Sequence, residues 1–153
     1  MSKLELRIPP VLLLLICLVG MWVTAVFMPA VSLSFAWAKL VAGGFFLLGG
    51  ALIILSVVAF RQAKTTLDPR YPEQSSHLVS CGVFGVSRNP IYLGFVLLLI
   101  GVAWYLMNLL AVVWIFAFVF YMTRFQIVPE ERHMKEKFAE EFDSYSARVR
   151  RWF

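Results

Sequence analysis

The side chains whose types could take part in chemistry lie at the two ends of one long apolar run. Arg88, Asn89 and Tyr92 stand at its start, and Glu130 and Glu131 follow its end. An arginine can hold an anion, and a carboxylate can hold a cation or accept a proton. Glutamates at the start of a helix also complement the helix dipole, so the pattern alone leaves both roles open for the two glutamates.

Metal binding, redox chemistry and nucleic-acid binding are not indicated. The chain has two cysteines, Cys17 inside an apolar run and Cys81 in a polar loop, so a disulfide between them is implausible on geometry. No spacing typical of metal ligands occurs. The net charge is +5, but the basic residues flank apolar runs, where membrane orientation and lipid headgroups explain them first.

The composition is typical of an integral membrane protein. Of 153 residues, 61% are apolar and only 15% are charged. Three runs carry no charge at all, residues 8–38, 40–60 and 89–123, and each exceeds the roughly 18 apolar residues that a membrane span needs. We therefore expect an all-α membrane protein that forms a single domain, residues 1–153.

Four transmembrane helices are predicted from these runs. Pro29 should end the first helix, and the third run is too long for one span, so it must fold back at Asn108, the strongly polar residue near its middle. The predicted spans are about residues 9–28, 37–60, 91–107 and 109–125. In span two, small residues recur at seven-residue spacing, which lets a neighbouring helix approach closely, more plausibly inside the bundle than in a dimer.

The basic residues predict the orientation of the spans. With four spans, every lysine and arginine except Lys39 falls on one side of the membrane, which the positive-inside rule assigns to the cytoplasm. Both termini would then be cytoplasmic, and the expected location is the inner membrane of a bacterium. A signal peptide is the rival interpretation of the amino terminus, but its apolar segment is too long and Glu5 dilutes the basic start.

The residues after span four predict a cytoplasmic amphipathic helix. Apolar residues at a spacing of three or four are Met134, Phe138, Phe142, Tyr145 and Val149. Two readings stay open for this tail: a helix in the headgroup region, or a helix that forms part of a site. Glu131 or His133 could serve as a general base, but spacing favours the pairing of Glu131 with Lys135 on the helix surface.

The segment from Leu78 to Gly94, LVSCGVFGVSRNPIYLG, resembles the signature of a family of integral membrane methyltransferases. This is the isoprenylcysteine carboxyl methyltransferase and phospholipid methyltransferase-like family. Its pattern continues with a glutamate pair, here Glu130 and Glu131, then an aromatic tail motif and a basic-aromatic end, here Arg150-Arg151-Trp152. The resemblance covers about residues 76–153, which are expected to form the cofactor-binding half.

The resemblance implies a methyl transfer from S-adenosylmethionine to a lipophilic acceptor at the cytoplasmic membrane face. It implies that the last helical hairpin and the cytoplasmic segments enclose the cofactor. Glu130 would hold a polar part of it, and Arg88 would bind its carboxylate unless this side chain reaches to lipid phosphate instead. The implied cofactor-binding residues are His77, Leu78, Val79, Phe84, Arg88, Asn89, Pro90, Ile91, Tyr92 and Glu130.

Several positions depart from the family pattern. Asn89 stands where histidine is commoner, and Ala139 and Phe142 replace glycine and tyrosine in the tail motif. Gln126 occupies the place of an arginine that contacts substrate in the carboxyl-methylating members, and Arg124 lies two residues away. These two residues, Arg124 and Gln126, are the candidates for acceptor binding, while no catalytic side chain is assigned.

The expected partners are a lipophilic or lipid-modified acceptor and membrane lipids, and the acceptor group itself stays open between carboxylate, thiol and amine. The oligomeric state is also open. Two other functions remain to be distinguished: an NADPH-dependent membrane reductase related to the sterol reductases, and a non-catalytic membrane protein that keeps the fold.

Overall fold

The computed structural model describes residues 5–29, 35–63 and 78–153, and this part of the chain is built from helices. The α-helices are α1 (Pro10–Phe27), α2 (Ala38–Gln62), α3 (Pro90–Leu106), α4 (Val112–Tyr121) and α5 (Val128–Arg148). Short 3-10 helices occupy Gly82–Gly85 and Leu109–Ala111, and a π-helix, Met122–Ile127, joins α4 to α5. The predicted all-helical class is confirmed for the described residues.

The helices have the length and apolarity of membrane spans. In the described residues, α1, α2 and the continuous helical stretch Leu109–Arg148 are long and apolar enough to cross a bilayer, and α3 is a shorter apolar helix. Large apolar side chains such as Leu15 on α1 and Leu47 on α2 are exposed. Such a surface suits contact with lipid rather than water.

The fold-back after α3 occurs at Asn108, as predicted. Met107 adopts the left-handed conformation (φ 51°) that ends α3, and the buried Asn108 follows it. Its Oδ1 accepts the N–H of Leu110 at 3.0 Å, and its Nδ2 donates to the carbonyl of Met28 at 2.9 Å. The amide therefore fixes the turn and ties it to the end of α1.

The small-residue stripe of α2 packs against α3 inside the bundle. A Cβ placed on Gly94 would lie 2.9 Å from the carbonyl oxygen of Gly49, and a Cβ on Gly101 would lie 3.2 Å from that of Ala42. The two backbones thus approach so closely that side chains larger than hydrogen would clash. Gly50, in contrast, has nothing within 4 Å of the corresponding position.

The fourth span does not end before the tail, because the helix continues through the π-helix into α5. Pro129 explains the widened segment: it has no N–H, and its ring displaces the carbonyl of Phe125 four residues earlier. That carbonyl instead accepts the N–H of Leu6 at 3.0 Å, which joins the amino-terminal segment to this end of the bundle. The tail helix is therefore continuous with the fourth span, and its amphipathic character and its position at the membrane surface stay predictions.

The carboxyl-terminal half of α5 turns back at Ala139, whose backbone is not helical (φ 38°, ψ −112°). After this bend Phe142, Tyr145 and Val149 are buried together, with the partly buried Leu78, Met134 and Phe138 packed around them. The apolar face of the tail therefore packs on other parts of the chain.

Candidate functional site

Tyr92, Gln126 and Glu130 meet between the first turn of α3 and the first turn of α5. The hydroxyl of Tyr92 donates to Glu130 Oε1 at 2.8 Å, and Gln126 Nε2 donates to the same oxygen at 2.6 Å. Tyr92 and Gln126 are buried, and Glu130 is partly buried. One carboxylate oxygen is thus fixed by two donors from two different helices.

Local sequence explains why these three side chains converge. Pro90 has the fixed φ and missing N–H that suit the first position of α3, which places Tyr92 in the first turn. Gln126 and Glu130 are four residues apart along a continuous helix and therefore lie on the same face. Because the helix runs on without a break from α4, the two glutamates do not lie at a free helix start, and the dipole interpretation is not needed.

Burial raises the pKa of Glu130 from its ordinary value of 4.5 to about 7. The hydrogen bonds from Gln126 and Tyr92 oppose this rise because they stabilise the ionised form, and the charge of Glu131 adds to it. Glu130 lies about 7 Å along the helix beyond residue 125, where the predicted fourth span ends. Near neutral pH this carboxyl group therefore exists in both protonation states, and a nearby cation would favour the ionised one.

Glu131 forms a second charged cluster beside the first. Its Oε1 is 2.8 Å from a guanidinium nitrogen of Arg88, and both of its oxygens accept from Arg151, at 3.1 and 2.6 Å. The predicted partner Lys135 instead pairs with Asp143 at 2.9 Å, because the bend at Ala139 returns the chain towards it. The prediction of a Glu131–Lys135 pair is wrong, and Glu131 connects α5 to the α3 start and to the carboxyl terminus.

Residues 150–152, which we call the C-terminal strap, cross the start of α3. The N–H of Arg88 donates to the carbonyl of Arg150 at 3.0 Å, and Asn89 Nδ2 donates to the carbonyl of Arg151 at 2.9 Å. Trp152 Nε1 donates to the hydroxyl of Thr123 in the π-helix at 3.2 Å. Asn89, which replaces the commoner histidine, thus holds the strap with its amide.

The loop before α3 forms a wall that the tail covers. Phe84 is buried, packs edge-on against Phe60 of α2 with ring centroids 5.0 Å apart, and accepts the Tyr145 hydroxyl on its carbonyl at 2.7 Å. Val79 is buried, and Leu78 is partly buried in the Phe142–Tyr145–Val149 cluster. The loop and the tail are therefore joined and do not splay apart.

The remaining predicted site residues take different positions. Pro90 is buried, and Ile91 packs against the central core. Arg124 is exposed, and its guanidinium lies 5.9 Å from the ring centroid of Phe125, whereas Gln126 is the residue that reaches Glu130. His77 lies outside the described residues.

Sequence reasoning missed the roles of Arg151, Trp152 and Thr123. The family pattern contains the basic-aromatic end, but nothing in its spacing indicates that these residues return to the start of α3. The partnership of Gln126 with Glu130 was also missed, although their four-residue separation on one helix is a signal that could have indicated it.

A cavity of about 310 Å³ lies at the opposite end of the bundle, near the Asn108 turn. Its wall includes Phe35, Trp104 and Val112, and it is mainly apolar. The amide of Asn108 is engaged in the turn. This cavity is therefore poorly suited to a ligand with charged groups.

Comparison with known proteins identifies the family. The family model described as "Phospholipid methyltransferase" matches residues 37–141, which include α2, α3, α4 and both glutamates. The chain belongs to the phospholipid methyltransferase family. Members of this family are methyltransferases, and together with the apolar helices the match makes this chain an integral membrane protein.

The chain is also similar to a protein from another organism. A protein of Haemophilus influenzae described as uncharacterized is 36% identical over 62 residues, which span 40% of this chain and 98% of the relative. No solved structure matches the chain.

Proposed function

We propose that this member of the phospholipid methyltransferase family transfers a methyl group from S-adenosylmethionine to a lipophilic acceptor at the cytoplasmic face of the membrane. The main support for the proposal is the position and bonding of the Glu130 carboxylate. Its Oε1 is held by Tyr92 and Gln126, whereas the described residues give Oε2 no hydrogen bond. A fixed carboxylate with one available oxygen is suited to an ammonium group.

The residues around Glu130 suit the amino-acid part of the donor. Its ammonium group would be held by Glu130 Oε2. Its carboxylate would be held by Arg88, whose Nε is buried and has no hydrogen-bond partner among the described residues. The buried aromatic rings of Phe84 and Tyr92 and the apolar Val79 would form the wall against which the donor's less polar parts lie.

The donor supplies the chemistry, because its sulfonium carries an activated methyl group. The new bond forms between the acceptor atom and the methyl carbon as the carbon–sulfur bond breaks, and S-adenosylhomocysteine leaves with the bonding electrons. The side chains orient the donor and exclude water from it, which is the contribution that alignment makes to such a displacement. Glu131 cannot serve as a base here, since both of its oxygens are occupied by arginines.

The acceptor that we propose is a lipid amine. Carboxylate recognition in the resembling methyltransferases uses an arginine at the position of Gln126, but here the residue is neutral, buried and bonded to Glu130. The family description also supports a phospholipid. A lipid would reach the site laterally from the bilayer, beside the exposed Arg124, whose charge suits a headgroup phosphate. The basic residues clustered at this end of the bundle support a cytoplasmic location of the site.

Binding to the purified protein tests the proposal against both rival functions. S-adenosylhomocysteine should raise the melting temperature, NADPH should not, and Glu130→Ala should abolish the effect. Glu136→Ala is the matched control, since this exposed glutamate lies on the same helix. Stabilisation by NADPH alone would support a reductase, and indifference to both ligands would support a non-catalytic protein.

Methyl transfer itself is tested with a radiolabelled methyl donor. Vesicles that contain phosphatidylethanolamine should acquire label in their headgroups, and vesicles of phosphatidylcholine alone should not. Label in a prenylcysteine carboxylate but not in the amine lipid would contradict the proposed acceptor while leaving the methyltransferase activity in place.

A further inference from the structure

Glu131 forms ion pairs with two arginines, and the proposed methyl transfer does not explain them. Its side chain is 18% exposed, and it lies between Arg88, 13% exposed, and Arg151, 35% exposed. Three contacts of 2.6–3.1 Å connect it to the two guanidinium groups. One carboxylate thus neutralises cations from two segments that are far apart in the sequence.

These contacts determine where the C-terminal strap lies. Val149 has an extended backbone (φ −117°, ψ 129°), so α5 does not carry the chain into the strap as a rigid helix. Beyond that point the strap is held by its bonds to Arg88, Asn89 and Thr123 and by the ion pair with Glu131. Trp152 also packs against the central core, and a short extended segment with so few contacts can open without unfolding the bundle.

The strap lies beside the residues that would hold the donor. Asn89 precedes Tyr92 by three residues on α3, and Glu131 is the neighbour of Glu130 on α5. The strap connects these two sides, because Arg151 binds Asn89 through its carbonyl and Glu131 through its guanidinium.

We propose that Glu131 is a positioning residue that closes the C-terminal strap over the donor site by holding Arg88 and Arg151 together. This inference rests on the proposed function, because it assigns the strap to the donor site. With Glu131 ionised, the strap is closed and a bound donor is retained. Without that charge, Arg88 and Arg151 repel each other and the strap opens.

The release rate of S-adenosylhomocysteine tests the proposal. Glu131→Gln preserves the shape of the side chain but removes its charge, and it should release the ligand about tenfold faster than the wild type. Arg151→Lys keeps the charge but not the two-pronged contact, and it should give an intermediate rate. Glu136→Gln is the control on the same helix and should release the ligand at the wild-type rate.

Trypsin provides a second measurement that needs no ligand. Cleavage after Arg150 and Arg151, followed by mass spectrometry, should be several-fold faster in Glu131→Gln than in the wild type and in Glu136→Gln. Raising the ionic strength should speed both cleavage and ligand release in the wild type, because salt screens partly exposed ion pairs. This salt titration also tests the proposal if the Glu131→Gln variant does not fold.

The outcomes separate this inference from the proposed function. Equal release and cleavage rates in the wild type, Glu131→Gln and Arg151→Lys would overturn the role of Glu131 and leave the methyltransferase proposal intact. Failure of the wild type to bind S-adenosylhomocysteine would overturn both.

Discussion

The pH dependence of ligand binding is the sharpest consequence of the environment of Glu130. Its carboxyl group has a pKa raised to about 7 by burial, and the ligand's ammonium prefers the ionised form. The ionised fraction rises from about one tenth at pH 6 to about nine tenths at pH 8. The affinity for S-adenosylhomocysteine should therefore increase about tenfold over this range, equivalent to about 1.4 kcal/mol, and level off above it.

Glu130→Gln separates this effect from a general loss of structure. Its side-chain oxygen can still accept from Tyr92 and Gln126, but it carries no charge. At about pH 8 the variant should bind the ligand about ten- to a hundredfold more weakly, because a hydrogen bond to a charged group contributes about 1.5–3 kcal/mol. Its affinity should not vary with pH.

Whereas ligand affinity should rise with pH, the contribution of Glu130 to the stability of the ligand-free protein should fall. A carboxyl group whose pKa is raised on folding binds its proton more tightly in the folded state, so its contribution to stability falls as the pH rises from about 4.5 to about 7. Glu130→Gln removes this cost, and above about pH 7 the variant should melt no lower than the wild type. Isothermal titration calorimetry and thermal unfolding between about pH 5.5 and 8 measure both effects. A wild-type affinity that does not change across this pH range would contradict the binding of the ligand's ammonium group by Glu130.

Three further substitutions test neighbouring parts of the structure. Tyr92→Phe removes a hydrogen bond that lowers the pKa of Glu130, so the midpoint of the pH profile of ligand binding should move upward; an unchanged midpoint would count against the contact. Gly94→Ala should lower the free energy of unfolding by about 1–3 kcal/mol, because the new methyl group would clash with α2. Gly50→Ala should not lower it, because a Cβ there meets open space. Thermal unfolding of both variants measures the difference. Ala139→Gly should raise the free energy of unfolding by about 1 kcal/mol, since glycine adopts the positive φ of this bend without strain; a lower melting temperature would be inconsistent with the bend.

The membrane spans could be predicted from sequence because they follow from the length of apolar runs. Asn108 is the polar residue in the middle of a run too long for one crossing, and the structure uses its amide to make the turn. The packing of the small-residue stripe around Gly49 could also be predicted from sequence, since close helix packing depends on side-chain size. These features depend on local composition and need no knowledge of the tertiary arrangement.

The path of the tail could not be predicted, because it depends on backbone details that composition does not show. Pro129 gives a helix start in isolation, but here the freed carbonyl of Phe125 finds Leu6, and the helix continues. Ala139 looks like an ordinary helix residue, yet its φ is positive. The family pattern has glycine at this position, and the bend offers a physical reason for it.

The candidate site was predictable only in part. The resemblance selected Tyr92 and Glu130, and the structure brings them within hydrogen-bond distance. Asn89 was selected as well, but its bond to the carbonyl of Arg151 involves a backbone atom, which no side-chain pattern encodes. The contacts of Glu131 with both arginines likewise appear only after the tail has folded back.

A structure of the protein with bound S-adenosylhomocysteine would show whether Glu130 holds the donor. We expect the ligand's amino nitrogen within about 3.2 Å of Glu130 Oε2, between Tyr92 and the C-terminal strap. A ligand bound elsewhere, for instance in the apolar cavity near Asn108, with no contact to Glu130, would contradict this expectation.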